Sequence, residues 1–301
     1  MTTTTLTEKQ AASAPALKKL NKNTVCIYHH DNVIVLATGL ERPSINSKTG
    51  DMIQTYIMRA DIAPDEAAKI GLDETVCGSC ALRPLLVKLY GKTGDVPCYV
   101  DKVRGPAGAW HSWNNGRVEY MTPAELSDII ADKKTCPGLC LDTCKLDHSH
   151  LYKNTYPKNG HARKTCEKLN HCTTPLGIRD GAYGDPGVVP IELWQQLHNN
   201  GAKRTSYTHQ WQTKPELKTM AMASIDSQTF PDVDKAIEDA KAMGFRWYRM
   251  LKAGETMRPD EMLCPEARKE LNVQCANCGL CDGMKFENRK QLGIVIPAIT
   301  K

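Results

Sequence analysis

No apolar run in the chain approaches the roughly 20 residues that a membrane helix needs; the longest, Val33 to Ala37, covers five positions. A transmembrane helix is therefore excluded. Residues Met1 to Leu20 are rich in Thr, Ala and Lys and lack the apolar stretch and cleavage site of a secretory signal. They read as a tail, and the expected compartment is the cytoplasm. Aromatic residues are scarce at 6%, but 41% hydrophobic and 24% charged residues over 301 positions supply a packed core and exclude a wholly disordered or collagen-like chain. No internal repeat is present, which excludes a solenoid. The net charge of +5, from 39 basic and 34 acidic residues, is too small to imply a nucleic-acid partner by itself.

Cysteine, by contrast, is abundant. Thirteen cysteines with no export signal do not read as a disulfide framework, because a reducing cytosol keeps thiols free and an odd count leaves one unpaired. Metal ligation is the better account, since clustered thiolates hold zinc or iron–sulfur centres and the bound metal adds folding free energy.

Composition and periodicity divide the chain into five stretches. After the tail at 1–21, residues 22–135 hold short strand-like runs at Val25 to Tyr28, Val33 to Ala37 and Ile53 to Met58, expected to be antiparallel. A helix is predicted from Pro64 to Ile70, with Asp61 or Asp65 at its N-terminus and Gly71 beyond its end. Residues 136–175 form a polar Cys/His-rich insertion. Within it, Lys145 to Cys172 carries six Lys or Arg against two Asp or Glu, a local +4, and four of the nine histidines, His148, His150, His161 and His171. This basic segment is the candidate nucleic-acid contact.

From 176 to 263 strands and helices alternate, the pattern of parallel βαβ units. Strands are predicted at Leu176 to Tyr183, Thr205 to Trp211, Ala221 to Asp226 and Phe245 to Leu251, with a short fifth at Met262 to Cys264. Val189, Leu193, Trp194 and Leu197 mark one helical face, and Val233, Ile237 and Ala240 another that Gly244 stops. A further short helix is expected at Pro215 to Met220. Trp194 and Trp247 read as core.

Residues 264–301 form the C-terminal site and tail. Cys264, Cys275, Cys278 and Cys281 are spaced C-x10-C-x2-C-x2-C, with Gly279 and Gly283 giving access to tight turns that point successive sulfurs inward. This run resembles ferredoxin-type ligand spacing and is tighter than most zinc knuckles require, so an iron–sulfur cluster, [4Fe–4S] by preference, is expected here, with zinc as the alternative. A second group is Cys77, Cys80 and Cys98. Its C-x2-C pair also fits a redox dithiol, with Leu82 to Tyr90 as the following helix; the third cysteine favours metal. A third group is Cys136, Cys140 and Cys144, with Cys166 and Cys172 downstream. Three four-cysteine sites would use twelve sulfurs and leave Cys26 over, although any of the four histidines in the insertion could replace a sulfur.

The segments Thr49–Tyr56, Val76–Arg83, Cys98–Val100, Gly181–Pro186, Tyr207–Trp211, Met222–Ser227 and Cys278–Gly283 resemble a family of uncharacterised phage and prophage proteins, over the span Lys22 to Gly283. That family is more distantly similar to phage proteins that look like radical S-adenosylmethionine barrels. The resemblance implies an α/β fold with a partial (β/α) barrel, a cluster at the C-terminal mouth and S-adenosylmethionine as a further cofactor. Gly181, Gly184 and Asp185, followed by Pro186, occupy the place of the glycine-rich strand end that holds it. The chain departs from that pattern: C-x3-C-x2-C is absent, Cys136, Cys140 and Cys144 having one residue too many and Cys77 and Cys80 one too few.

Active sites of parallel α/β folds collect at the C-terminal strand ends. Asp185, His209 and Asp226 fall there and form the candidate acid–base set. Each has a plainer role open to it: Asp185 starting a turn, Asp226 capping a helix, His209 satisfied in the core. The expectation is an iron–sulfur protein, a redox or radical-type enzyme of unassigned substrate. The rival is a zinc-stapled module that binds nucleic acid or protein.

Overall fold

The structure, a computed structural model, describes residues 20–42, 44, 46–91, 98, 100–134, 177–252, 254–285 and 291–297. Cys136, Cys140, Cys144, Cys166, Cys172, the insertion's histidines and the 145–172 basic segment lie outside the described residues.

Strands β1 (Thr24–His30), β2 (Val33–Thr38) and β3 (Ile53–Arg59) form an antiparallel meander, as expected. The β-branched and apolar residues of β2 are buried along almost its whole length, as are those of β3. Both are interior strands of the sheet. Helix α1 (Pro64–Ile70) packs Ala67 and Ala68 inward and ends at Gly71, in the left-handed region at φ 83°. Of the two aspartates expected at its N-terminus, Asp65 lies in the first turn and Asp61 does not. Ala63 occupies the cap position and Pro64 opens the helix, its fixed φ suiting the first turn, while Asp61 is taken by the Arg59 guanidinium at 2.7 and 2.9 Å.

Three helices follow: α2 (Glu74–Cys77), α3 (Pro84–Tyr90) and α4 (Gly105–Asn114). The two-residue strand β4 (Glu119–Tyr120) pairs with β1, and α5 is Pro123–Lys134. Beyond the insertion, β5 (Gly177–Tyr183) pairs in parallel with β3. The N-terminal meander and the later βα region therefore share one sheet. The predicted strand at 205–211 is instead two short ones, β6 (Lys203–Thr205), paired with β5, and β7 (Tyr207–Thr208), paired with β8 (Met222–Ile225). The break falls at Ser206, whose N–H donates to the Cys281 carbonyl at 3.0 Å.

Helix α6 (Ile191–Leu197) buries Leu193, Trp194 and Leu197. Helix α7 (Val233–Ala242) is capped by Asp232, which accepts from Lys235 N at 2.9 Å, and buries Ala236, Ile237 and Ala240. The segment Pro215–Thr219 is a 3₁₀ turn rather than an α-helix. Strands β9 (Trp247–Met250), β10 (Glu261–Leu263) and β11 (Gly293–Ile296) complete the parallel set. Among the described residues no helix lies between β9 and β10, so the expected fourth βα unit is incomplete.

The strand orders are β4-β1-β2-β3-β5-β6 and β10-β11-β9-β8-β7. The segment 203–208 belongs to both sheets and joins them end to end. The class is mixed α/β with parallel sheets, but among the described residues the sheets stay open and close no barrel.

Side chains alternate along these strands, and the two faces are filled differently. Ala223, Ile225 and Trp247 join the main core with Trp194, Leu197, Ile237 and Ala240 from the helices. Met222, Tyr248, Ile294 and Ile296 point the other way and form a smaller core with Cys264 and Cys281. The cysteine-rich C-terminal segment thus covers the sheet face that the helices leave open. Trp194 and Trp247 are core, as expected, and so is Trp211. None of the helices described is long and apolar enough to cross a membrane.

Candidate metal centre

Cys264 and Cys281 lie on that second face, while Cys275 packs with Met52 and Ala276. Cys264 follows β10 directly, its N–H held by the Val295 carbonyl at 2.8 Å. Cys275 and Cys278 bracket a single helical turn, α8 (Cys275–Cys278), which ends at Gly279 with φ 68° and sends the chain back so that Cys281 faces the same centre. Cys281 lies within electrostatic reach of Cys264, Cys275 and Cys278.

Long-range backbone contacts fix this loop. Cys275 N and Ala276 N donate to the carbonyls of Lys48 and Thr49, and Gln274 Nε2 donates to Ser47 O at 2.9 Å. The buried Arg246 guanidinium donates to the carbonyls of Leu280 and Met284, and Arg204 Nε to that of Asp282 at 2.8 Å. A Cβ at Gly283 would come within 2.5 Å of Ala221 N, which requires glycine there.

Burial pushes the Cys281 thiol up to about 12, against the hydrogen bond from Tyr207 and with the other three sulfurs adding to the rise. Burial likewise lifts Cys275 to about 11, opposed by Lys48 and Arg179. Cys278 is raised by burial and drawn down in part by the Leu280 backbone and Lys203. The four thiols, three of them buried and Cys278 partly exposed, therefore lie within electrostatic reach of one another, with cationic side chains nearby. The described cysteines are all free thiols. Cys26, left over by the spacing arithmetic, is core: its Sγ donates to Tyr28 O at 3.2 Å and burial pushes it up to about 11.

The residues at the strand ends form a second assembly. Asp185 sits beyond β5, His209 just after β7 and Asp226 just after β8. The Asp185 carboxylate is buried and accepts from Gly187 N at 2.8 Å, Thr208 Oγ1 at 2.7 Å and His209 N at 2.6 Å. It starts the turn after β5 and ties that turn to β7. Asp226 accepts from Gln228 N, Thr229 N and Thr229 Oγ1 at 2.8–2.9 Å, closing its own turn. The His209 ring lies between the two, with Nδ1 3.7 Å from Asp185 and Nε2 3.5 Å from Asp226.

The first cysteine group reaches this same place. Cys77 ends α2, and Cys77, Cys80, Cys98 and Asp185 interact through space. Cys80 meets the His209 ring. Burial opposes the charged imidazole, but Asp185, Asp226 and Cys80 outweigh it and hold the His209 pKa well above the usual histidine value. From sequence His209 reads as an acid–base residue; its closeness to the cysteines arises from tertiary approach and leaves no mark in local spacing.

Gly181 and Gly184 have φ of 59° and 81°. A Cβ on Gly184 would stand 2.6 Å from Ile57 O and 3.0 Å from Val76 O, so backbone fills the space beside this residue. Gly181, within β5, and Gly184, beyond its end, allow the close packing of the turn that Asp185 starts. Gly184→Ala should cost about 3 kcal/mol or more in urea denaturation, from the left-handed φ and the clash together. A loss under 1 kcal/mol would show that the β5 turn relaxes easily.

A polar cavity of about 410 Å³ opens elsewhere, lined in part by Asn23, Thr38, Arg42, Gln54 and Tyr56, and none of the candidate residues lines it. Among the described residues, no three His, Cys, Asp or Glu groups are already set at ligand geometry around one point. Comparison of the chain with protein-family models, curated proteins and solved structures finds no match in any of the three.

Proposed function

We propose that the chain is an iron–sulfur protein whose cluster is held by Cys264, Cys275, Cys278 and Cys281. The observation that supports this reading is that these four sulfurs, from two separate segments, lie within electrostatic reach of one another, with Lys48, Arg179 and Lys203 nearby. Buried thiols are poor nucleophiles and poor ligands while protonated. A cationic iron centre placed among them reverses the balance and releases their protons. The nearby lysines and arginine offset the net negative charge that four thiolates leave on such a centre. The C-x2-C-x2-C run favours a cluster over a single zinc ion, because short gaps suit several sulfurs on one compact core.

In this reading the cluster serves electron transfer or radical chemistry. Tyr207, whose hydroxyl meets Cys281, tunes the centre through a hydrogen bond to sulfur.

Full-length protein purified without oxygen should be brown and contain iron and acid-labile sulfide in equal amounts. Cys281→Ala should remove most of both. Colourless wild-type protein with zinc bound through these cysteines would replace the reading with the stapled module. Reductive cleavage of added S-adenosylmethionine, lost in Cys281→Ala, would extend the reading to radical chemistry; its absence leaves electron transfer.

A further inference from the structure

The Cys77–Cys80 loop is seated on the turn that carries His209. Gln210 Nε2 donates to the Cys77 carbonyl at 3.3 Å, Ser79 Oγ approaches Gln210 Oε1 at 3.4 Å, and Asp185 N donates to Val76 O at 2.7 Å. The fit is close, since a Cβ at Gly78 would lie 2.4 Å from Gln210 Nε2. Cys98 is brought in by its own N–H, which donates to Leu82 O at 2.7 Å. Cys80 and Cys98 thus reach the His209 imidazole at the end of β7, and Cys77 lies within electrostatic reach of both sulfurs.

His209 Nε2 is shielded from solvent and makes no well-formed hydrogen bond, which is costly for a buried polar atom unless something else engages it. The ring also has the outer partners that metal-bound histidines use. A ligating imidazole gives one nitrogen to the ion and turns the other toward a carboxylate, and here Asp185 and Asp226 lie on the two nitrogen sides.

We propose that Cys77, Cys80, Cys98 and His209 form a mononuclear zinc site that staples the 77–98 excursion to the ends of the parallel strands. The donor set is Cys₃His, a usual composition of closed structural zinc sites. The tight seating of Gly78 on Gln210 suits one ion better than a multi-iron core. The site stands independently of the four-cysteine centre, which uses none of these residues. His209 becomes a ligand here through Nε2, and Asp185, on the Nδ1 side, becomes its orienting partner.

The test uses full-length protein from cells supplied with both metals, dialysed against a chelator, with zinc, iron and sulfide measured on wild type and variants. Cys281→Ala should lose iron and sulfide and keep the zinc. His209→Ala should lose that zinc, with affinity reduced by more than about 100-fold in competition with a chromophoric chelator, and keep the iron. Loss of folding in His209→Ala is covered by His209→Cys, which should retain the zinc. Its cobalt(II)-loaded form should show the spectrum of four thiolates, shifted from the three-thiolate, one-imidazole spectrum of the wild type. Zinc held by His209→Ala as tightly as by wild type, an unshifted cobalt spectrum in His209→Cys, or iron and sulfide lost with His209 would each overturn the proposal. Absence of iron in the wild type would instead strike the four-cysteine reading alone.

Discussion

Asp185→Ala should destabilise the protein by about 3–5 kcal/mol, the range seen when one partner of a buried charged hydrogen-bond set is removed. The carboxylate is a junction. It holds Gly187 N, Thr208 Oγ1 and His209 N within 2.6–2.8 Å, so it fixes the turn after β5, the end of β7 and the position of the imidazole together. Alanine leaves two buried backbone N–H groups without an acceptor. Asp185→Asn should be milder, near half that loss, because the amide offers one oxygen to donors now shared between two. Urea denaturation of the two variants measures this order. If Asp185→Ala were as stable as wild type, the carboxylate would not be the structural pin described here, and a role in direct chemistry would regain its footing. The His209-dependent zinc should also weaken in Asp185→Ala, since the backbone that carries the ring loses its anchor.

Much of the βα region is legible because its determinants are local. Leu193, Trp194 and Leu197 recur at helical spacing and are buried on α6, and Ile237 and Ala240 do the same on α7. The C-terminal cysteines are equally legible: two-residue gaps around a turn glycine bring sulfurs to one side wherever the loop docks. Legibility fails where a distant partner decides. Strand β11, a four-residue run, inserts between β9 and β10, an order that no neighbouring signal announces. The 205–211 run alternates like one strand, yet Ser206 turns to the Cys281 carbonyl and the ladder changes partner there. Strands β1 to β3 read as a self-contained antiparallel extension, whereas β3 supplies the edge on which β5 pairs, across the whole insertion.

The strand-end site shows the same division. Strand-end position alone points to Asp185, His209 and Asp226, and the structure brings them together; Asp185 starts a turn, as its plainer role has it, whereas Asp226 closes its own turn and the cap of α7 is Asp232. The assembly of Cys77, Cys80 and Cys98 with His209 is invisible to spacing, because the sulfurs and the imidazole belong to segments more than a hundred residues apart that meet through Gln210 and Val76.

Glu261→Gln should cost about 3–5 kcal/mol near neutral pH and flatten the acid side of the stability profile. Glu261 is buried at the start of β10 and meets Arg249, itself 3% exposed, through two parallel hydrogen bonds of 2.6 and 2.8 Å. Trp247 Nε1 and Arg258 N add donors at 3.0 and 2.9 Å. Burial alone would raise this carboxyl, but Arg249, Trp247 and the Arg258 backbone outweigh it and hold the pKa below its ordinary 4.5. A carboxylate depressed in the folded state gives stability that is complete above the unfolded pKa and is lost as pH falls through the folded one. The wild type should therefore weaken from about pH 4.5 downward with a slope of up to about 1.4 kcal/mol per pH unit from this group. Glutamine has no proton to take up, so that contribution to the slope disappears, while the buried Arg249 is left with Glu255 as its anionic partner. Chemical denaturation at several pH values between 3 and 7 reads both effects. A Glu261→Gln profile parallel to that of the wild type throughout would mean that the carboxylate titrates alike in both states and that the Arg249 pair is not what joins β9 to β10.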